Sequence, residues 1–305
     1  MPRPIRCFPT PSALKEPLYI CGPTASGKSA VALHLARVLG GEIVNADAFQ
    51  LYRGLEVLTA SPDPEELAST PHHLYSVIDP SENLAAARYR ELALPVIHDI
   101  QDRGRQPIIV GGSGLYLKFL THGPSPLPPA DPDLRRELEA LPLDELNRRL
   151  AELDPDTAAT IDRQNPRYVQ RALEVCIVTG QPVSRLRRSF SQDPGPLRGI
   201  VLHWDPTALD QRIRQRTTAM LVNGAIDEVA AHPKLSTTAS KAIGIRQIRA
   251  LMNGHIDHPA CEEKIVIATR RYAKRQRTWF RRESWLTPVP GHAPPEEILR
   301  RCDCL

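Results

Sequence analysis

A chain of 305 residues, 41% hydrophobic and 24% charged, has the composition of a globular protein large enough for one domain and a smaller second one. No apolar run approaches the roughly 18 residues of a membrane-spanning helix, so we expect no membrane association. The six cysteines are scattered, without a C-x-x-C pair, which favours free thiols in the cytoplasm. The net charge of +4 is too small to indicate a partner by itself. Residues 1–17 are rich in proline and lack the apolar segment of a signal peptide, so we expect a disordered tail.

The first predicted elements surround a phosphate-binding sequence. Residues 18–21 (Leu-Tyr-Ile-Cys) are typical of a buried parallel strand, and residues 30–39 have the apolar spacing of a helix. Between them stands the pattern G-x-x-x-x-G-K-S, whose glycines let successive backbone N–H groups point at one anion. Lys28 adds a positive charge, and the Ser29 hydroxyl can bind a metal ion held by the phosphates. We therefore predict a di- or triphosphate site formed by Gly22, Pro23, Thr24, Ala25, Ser26, Gly27, Lys28 and Ser29.

A second strand, predicted at residues 42–45, leads into a short polar segment that contains Asp47 and Gln50. The carboxyl ends of parallel strands border the ligand crevice of a doubly wound sheet, so both side chains should lie beside the phosphate loop. From its position alone, Asp47 is explained as well by a solvated turn as by a functional role. Residues 61–71 contain three prolines and are predicted to be a surface loop.

The next predicted strand ends in glycines where a nucleotide hydrolase usually carries an acidic residue. Residues 85–101 are helical in pattern, although Pro95 should kink the helix, and residues 107–110 (Pro-Ile-Ile-Val) are a buried strand. Gly111 and Gly112 follow this strand. The sequence offers no acidic metal ligand at this point, which weighs against a motor or switch ATPase.

The middle of the chain has a different composition. It is rich in Leu, Arg, Glu and Ala, lies between proline-rich stretches and shows helical spacing, most clearly at residues 143–153 and 166–179. Strand character returns at residues 199–204. We predict an α/β fold, in which a P-loop NTPase-like parallel sheet core with a helical C-terminal region (residues 18–123 and 197–305) is interrupted by a small all-helical insertion domain (residues 124–196).

Basic residues are concentrated near the end of the chain. The eight Lys and Arg residues from Lys264 to Arg282 are accompanied by no acid and are interleaved with aromatic residues. This combination favours a polyanionic partner over a solvated helix face. Upstream, Arg212 and Arg216 are one turn apart and therefore share one face of a predicted helix.

Several segments beyond the phosphate loop carry a family resemblance: residues 47–52 (Asp-Ala-Phe-Gln-Leu-Tyr), 71–74 (Pro-His-His-Leu), 110–116 (Val-Gly-Gly-Ser-Gly-Leu-Tyr), 171–175 (Arg-Ala-Leu-Glu-Val), 242–244 (Ala-Ile-Gly) and 272–281 (Tyr-Ala-Lys-Arg-Gln-Arg-Thr-Trp-Phe-Arg). In this order, and over most of the chain, they resemble the motifs of the tRNA dimethylallyltransferase family in its bacterial form. Members of this family attach a dimethylallyl group from dimethylallyl diphosphate to N6 of adenosine 37, next to the tRNA anticodon, with the assistance of Mg²⁺.

The resemblance implies roles for the residues around the phosphate loop. The loop would hold a diphosphate leaving group, and Thr24 would contact the donor near the scissile oxygen. Asp47 matches the acidic residue that accepts the N6 proton, and Lys28 would stabilise the charge that builds on the leaving group. Arg212 and Arg216 are weaker candidates for capping the same anion.

The resemblance also implies which residues contact the anticodon stem-loop of tRNA. Reaching N6 requires that the nucleotide turn out of its stack. Ala48, Ser61, Tyr168 and Ile245 depart from the residues usual in the family. The implied contact residues are Asp47, Ala48, Phe49, Gln50, Ser113, Arg135, Gln164, Asn165, Arg167, Ala242, Ile243, Gly244, Lys274, Arg275, Gln276, Arg277 and Arg281.

Two other functions agree with parts of the sequence. An isopentenyltransferase acting on free AMP, ADP or ATP would share the loop and Asp47, but it has less need of a helical insertion and a basic C-terminal helix. A small-molecule P-loop kinase would need an acidic metal ligand where Gly111 and Gly112 stand. We favour tRNA as the substrate and expect a monomeric enzyme, because one RNA-sized cleft needs only one chain.

Overall fold

The computed structural model describes residues 15–189 and 195–303. The tail predicted at residues 1–17 lies almost entirely outside the described residues, as do residues 190–194 of the predicted insertion. The chain divides into two compact units: one contains the residues up to Leu120 and from Pro196 onward, and the other is Thr121–Gly195. No described helix is long and apolar enough to span a lipid bilayer.

A parallel sheet of six strands forms the centre of the larger unit, which confirms the predicted α/β fold. The strands are β1 (Leu18–Cys21), β2 (Gly41–Asn45), β3 (His72–His73), β4 (Gln106–Gly111), β5 (Arg198–His203) and β6 (Leu286–Pro290). They lie side by side in the order β3-β2-β4-β1-β5-β6, and every neighbouring pair is parallel. In the register of the central strands, Ile20 lies between Val110 and Ile200. Every residue of β1, β2 and β4 is buried, as expected for strands that are covered on both faces.

The helices of the larger unit alternate with these strands and then follow one another toward the C-terminal end. Before β5 they are α1 (Lys28–Leu39), α2 (Glu56–Thr59), α3 (Pro64–Ser69), α4 (Ala86–Asp102) and α5 (Gly114–His122), the last of which reaches into the other unit. After β5 they are α11 (Pro206–Val222), α12 (Ala225–Ala231), a 3₁₀ helix (Ala239–Lys241), α13 (Ile245–Met252), α14 (His258–Phe280) and α15 (Pro295–Asp303).

Two details differ from the sequence prediction. The surface loop predicted at residues 61–71 contains α3, which begins with Pro64 and is capped by Asp63 through a reciprocal pair of hydrogen bonds with Glu66. The edge strand β6 was not predicted, because its sequence, Leu-Thr-Pro-Val-Pro, contains two prolines that an edge strand tolerates and a central strand does not.

The smaller unit is entirely helical within its described residues. The helices predicted at residues 143–153 and 166–179 are confirmed with those bounds, as the second and fourth of the series α6 (Pro132–Glu139), α7 (Leu143–Leu153), α8 (Pro155–Thr160), α9 (Pro166–Thr179) and α10 (Val183–Ser189). Leu146, Leu150, Val169 and Leu173 pack in its core. Their spacing of four residues within each helix places each pair on one helix face.

Within that core lies a buried carboxylate, Glu174, whose side chain is fully inaccessible. It accepts hydrogen bonds from Arg171 (2.8 Å), from Arg135 (3.3 Å) and from the Asp131 backbone N–H (2.6 Å). Burial raises the pKa of Glu174, but its hydrogen bonds to Arg171 and to the Asp131 backbone outweigh burial and lower that pKa overall. Glu174 therefore ties α9 to the N-terminus of α6.

We expect Glu174→Leu to lower the free energy of unfolding by about 3 kcal/mol, because it leaves Arg171 and the Asp131 N–H without their buried partner. Urea unfolding followed by circular dichroism measures the change. The matched control is Glu152→Gln, which removes an exposed carboxylate that pairs with Arg148, and should cost less than about 0.5 kcal/mol. Equal effects of the two substitutions would contradict a structural role for Glu174.

Candidate active site

The phosphate-binding sequence forms a loop between β1 and α1, at the point where the strand order changes direction. Helix α1 begins after Gly27 with no side chain capping it, so its first backbone N–H groups are free to meet an anion. Gly27 (φ 87°) and Ala25 (φ 61°) have left-handed backbones, which turn the loop around that point. Gly22 is required by close packing, since a Cβ atom there would lie 2.9 Å from Ser26 Oγ and 3.1 Å from the Leu202 carbonyl oxygen.

Two polar groups of the loop lie in surroundings that suit an anionic ligand. Lys28 Nζ donates a hydrogen bond of 2.8 Å to the Pro23 carbonyl. Burial lowers the pKa of Lys28 to about 8, although the nearby Asp47 carboxylate acts in the opposite direction. Ser26 Oγ is buried and has no hydrogen-bond partner among the described residues. A buried hydroxyl without a partner and a partly desolvated ammonium are both stabilised when phosphate oxygens arrive.

Asp47 follows β2 and is held by a turn that Asn45 organises. The Asn45 side chain accepts a hydrogen bond from the Asp47 N–H (2.8 Å) and donates one to the Leu74 carbonyl (2.9 Å). Asp47 Oδ1 accepts the Phe49 N–H at 3.0 Å. Within the described residues, Asp47 Oδ2 has no hydrogen-bond partner, so one carboxylate oxygen is free to accept a proton from a ligand.

Two arginines of α11 contact the phosphate loop. Arg216 donates to Thr24 Oγ1 (3.0 Å) and to the Thr59 carbonyl (2.8 Å). Burial lowers the pKa of Arg216, an effect that Asp47 opposes. Arg212 donates to the Ala25 carbonyl at 2.7 Å and stacks on Trp204, with its guanidinium 4.5 Å from the ring centroid.

Thr24, Asp47 and Arg216 line one pocket, whose other walls are largely apolar. The apolar lining includes Leu58, Ile213, Met220, Ile243 and Ile265, from the segments that pack around α11 and α14. The pocket thus places a cation, a hydroxyl and a carboxylate at the edge of a hydrocarbon-lined space. Such a space can accept an amphiphilic ligand with an anionic head and a short hydrophobic tail.

Of the other residues predicted around Asp47, some line this pocket and others do not. Phe49 lines the pocket, with its ring centroid 6.3 Å from that of Tyr272. The Gln50 side chain instead donates to the Ala60 carbonyl (2.7 Å), and it does not line this pocket. The Ala48 N–H donates to Ser113 Oγ at 2.9 Å, which joins the ends of β2 and β4.

Residues 242–244 and the basic run of α14 differ in their relation to this pocket. Ala242 and Ile243 line the pocket, and Gly244 (φ 109°) begins α13. Lys274, Arg277 and Arg281 line a separate groove between α14 and α11, and Arg275 lies 5.6 Å from the Tyr272 ring centroid. Gln276, predicted to contact RNA, is only 4% exposed and has both polar atoms bonded inside the protein.

The remaining predicted residues belong to the helical unit. Asn165 caps α9 by accepting the Arg167 N–H, and Arg135 pairs with Glu174, so both have structural partners. Gln164 and the Arg167 side chain are exposed. Tyr272 and the apolar lining residues Leu58, Ile213, Met220 and Ile265 were not predicted as site residues, because the pattern of a helix identifies its buried face but not which buried residues line a cavity.

The fold and the loop define a P-loop-like α/β protein that presents a phosphate-binding loop to an apolar pocket. The family model described as IPP transferase matches residues 50–283. A tRNA dimethylallyltransferase from Akkermansia muciniphila is 43% identical over 275 residues, which cover 90% of this chain and 93% of that protein. One from Alkalilimnicola ehrlichii is 43% identical over 299 residues, covering 93% and 94%.

Solved structures that resemble this chain are also described as prenyl transferases for tRNA. The tRNA isopentenylpyrophosphate transferase from Bacillus halodurans superimposes with a TM-score of 0.70 and 32% identity, over 95% of each chain. A eukaryotic dimethylallyltransferase described as acting on tRNA gives a TM-score of 0.74 and 27% identity, over 90% of this chain and 74% of that one. The chain belongs to the IPP transferase family and is a prenyl-group transferase.

The lowered pKa of Lys28 predicts a pH dependence for diphosphate binding. Below about pH 8 the free protein carries a charged Lys28, whereas at higher pH Lys28 is a neutral amine that must gain a proton before it can pair with the anion. The affinity for inorganic diphosphate should therefore fall as the pH rises through about 8. Isothermal titration calorimetry at several pH values measures this change.

Lys28→Met provides the control. The ionisation of diphosphate itself also changes with pH, and it does so equally in the measurements on both proteins. The ratio of the wild-type to the variant association constant should be steady at low pH and fall, approaching tenfold per pH unit, above about pH 8. A ratio that does not change with pH would show that Lys28 keeps its proton throughout or does not meet the anion.

Proposed function

We propose that this chain transfers a dimethylallyl group from dimethylallyl diphosphate to N6 of adenosine 37 in tRNA, next to the anticodon. One observation carries the proposal: Thr24, Arg216 and Asp47 share a single pocket with apolar walls. The diphosphate of the donor fits the loop, and the five-carbon chain fits the hydrocarbon lining. The names of the relatives from Akkermansia muciniphila and Alkalilimnicola ehrlichii support the same reaction.

Breaking the allylic C–O bond is the first task of the site. The bonding electrons leave with the diphosphate, so negative charge builds on the bridging oxygen in the transition state. Backbone N–H groups at the start of α1, together with Lys28 and Arg216, are fixed beside that charge before the reaction begins. Preorganised donors of this kind lower the barrier because they need no reorientation when the charge develops.

The acceptor nitrogen must lose a proton as the new N6–C bond forms. An exocyclic adenine amine is a poor nucleophile, since its lone pair is delocalised into the ring. The free Oδ2 of Asp47 is suited to accept that proton, because Oδ1 is already held by the Phe49 N–H. Phe49 and Tyr272 offer aromatic faces in the same pocket against which a turned-out base can stack.

We also propose that Mg²⁺ assists at the loop. The described residues contain no group of three or more His, Cys, Asp or Glu side chains that could hold a metal ion. This fits Mg²⁺, which often binds through substrate phosphates, water and one or two protein oxygens. The exposed Ser29 at the start of α1 is the protein oxygen placed to contribute. When bound, the ion would neutralise charge on the leaving diphosphate.

The outer faces of α14 support RNA as the acceptor. Lys274, Arg277 and Arg281 line the groove toward α11, and Lys264 and Arg271 line a groove toward α13. Among the described residues, none of these five forms an ion pair with a carboxylate, so their charges remain available to phosphates. Arg270 in the first of these grooves is paired with Asp210, but the five unpaired cations along one helix suit a polyanion better than a free nucleotide.

The helical unit is the second part of the proposed tRNA contact. We assign this role to its exposed Gln164 and Arg167, which a turn places together at the start of α9. Arg135 keeps nearly half of its side chain exposed while it pairs with Glu174, so it can meet a phosphate without losing its partner. We further propose that the enzyme acts as a monomer in the cytoplasm, where unmodified tRNA is available.

A transfer assay tests the proposal. Purified protein receives labelled dimethylallyl diphosphate, Mg²⁺ and unmodified tRNA with adenosine at position 37, and parallel reactions contain AMP or ATP as the acceptor. Label in tRNA, but not in tRNA with guanosine at position 37, supports the proposed reaction. Label in the free nucleotide alone would assign the chain to the other acceptor class, and label in neither would refute prenyl transfer to both acceptors.

The role of Asp47 predicts a selective loss of chemistry. Asp47→Asn keeps an oxygen for the Phe49 N–H but cannot accept a proton, so single-turnover transfer should fall by about 10²- to 10⁴-fold. Filter binding should show unchanged tRNA affinity. Asp79→Asn is the control, since within the described part of the chain the Asp79 carboxylate accepts hydrogen bonds only from nearby Ser81. Normal turnover by Asp47→Asn would remove Asp47 from the role of base.

The basic grooves predict a change in salt dependence. Replacing both Lys274 and Arg277 with Gln should weaken tRNA binding and make the plot of log affinity against log salt shallower, by about 0.9 for each phosphate that is no longer neutralised. Arg88→Gln, which removes an exposed arginine paired with Glu91 on α4, should leave that slope unchanged. A double variant with the wild-type slope would show that this face of α14 does not bind RNA.

A further inference from the structure

Gln276 lies in the middle of the basic run, but its position is unlike that of its cationic neighbours. Its side chain is 4% exposed and points into the protein. Gln276 Oε1 accepts a hydrogen bond from the Thr24 backbone N–H at 2.8 Å, and Nε2 donates one to the Gly112 carbonyl at 2.9 Å. One amide therefore joins the phosphate loop to the segment that follows β4.

The chemistry of these two partners explains why the residue is glutamine. The Thr24 N–H requires an acceptor and the Gly112 carbonyl requires a donor, and a primary amide supplies both without adding charge. The contact leaves no spare room. A Cβ atom at Gly112 would lie 2.2 Å from Gln276 Nε2, and one at Gly114 would lie 2.3 Å from the Trp279 ring. Helix α14 can approach this closely only because both positions are glycine.

Thr24 is consequently held from two directions. Helix α14 fixes its backbone through Gln276, and α11 fixes its hydroxyl through Arg216, at 3.0 Å. Because the Thr24 N–H is engaged by Gln276, it is not available to a bound anion. The remaining loop N–H groups must then supply the backbone contacts to a diphosphate, and the Thr24 hydroxyl stays at the edge of the pocket that contains Asp47.

We propose that Gln276 is a positioning residue for prenyl transfer, which holds Thr24 so that its hydroxyl faces the bond that breaks. This inference rests on the proposed function and gives Gln276 a role different from RNA contact. It acts through Thr24 and touches neither substrate. Loss of the amide should therefore slow the transfer step while leaving the affinity for tRNA unchanged.

The test is a double-mutant cycle of Gln276→Met, which keeps the side-chain length, with Thr24→Ala. Gln276→Met alone should lower kcat by about 10- to 100-fold, the loss expected when a group near the reacting bond is misplaced by about an ångström, with the Kd for tRNA unchanged. In the Thr24→Ala background the same substitution should have little further effect, because the hydroxyl that Gln276 positions is already gone.

Gln106→Met is the matched control. Gln106 is also buried and also donates to backbone carbonyls, but it lies at the amino end of β4. Its loss should leave kcat unchanged.

Hydrogen exchange of the Thr24 amide tests the contact independently of the substrate. Exchange should be slow in the wild-type protein and faster in Gln276→Met, while amides in the β1 strand stay protected. Additive effects on kcat in the cycle, weaker tRNA binding with normal kcat, or unchanged exchange at Thr24 would each overturn the inference. Absence of transfer to tRNA by the wild-type protein would instead overturn the proposed function, and the exchange result would still decide whether Gln276 holds Thr24.

Discussion

The site depends on how Thr24 is held between two helices that lie far from it in the sequence. Arg216 of α11 binds its hydroxyl, and Gln276 of α14 binds its backbone N–H. A phosphate loop alone provides anion contacts but no orientation for the rest of a ligand. By fixing one residue of the loop from both sides, α11 and α14 align the anion contacts with the pocket that contains Asp47. In the proposed reaction, this one arrangement would both bind the diphosphate and set the direction of the prenyl group.

Electrostatics gives the same site its preference for an anionic ligand. Lys28 and Arg216 are both partly desolvated, and for each of them burial lowers the pKa while Asp47 opposes that effect. A single carboxylate facing two cations leaves a net positive charge in a region of low dielectric constant. The diphosphate of the proposed donor would neutralise this positive charge and give Lys28 and Arg216 charged hydrogen-bond partners in place of the water they lose on burial. In the proposed reaction, Asp47 is then the carboxylate that accepts the proton.

Much of this arrangement could be predicted from local sequence. The order of strand, glycine-rich loop and helix at residues 18–39 identifies the phosphate site, since its conformation depends on residues within one short segment. The position of Asp47 beside that site follows from the rule that parallel strands end at a common edge. The basic neighbours of Gln276 favour an RNA contact for it, whereas its bonds to the phosphate loop and to the end of β4 depend on tertiary packing between residues more than 160 positions apart. The helix α3 and the strand β6 were not predicted, because proline in isolation is a turn signal. Pro64 instead begins α3, and the two prolines of β6 lie in an edge strand.

A crystal structure with dimethylallyl thiodiphosphate, in which sulfur replaces the oxygen of the bond that breaks, would test the central claim most directly. We expect the diphosphate to contact the loop N–H groups and Lys28, the bridging sulfur to face the Thr24 hydroxyl, and the five-carbon chain to lie in the pocket with its reactive carbon toward Asp47. A diphosphate bound away from the loop, or a prenyl chain directed away from Asp47, would contradict it.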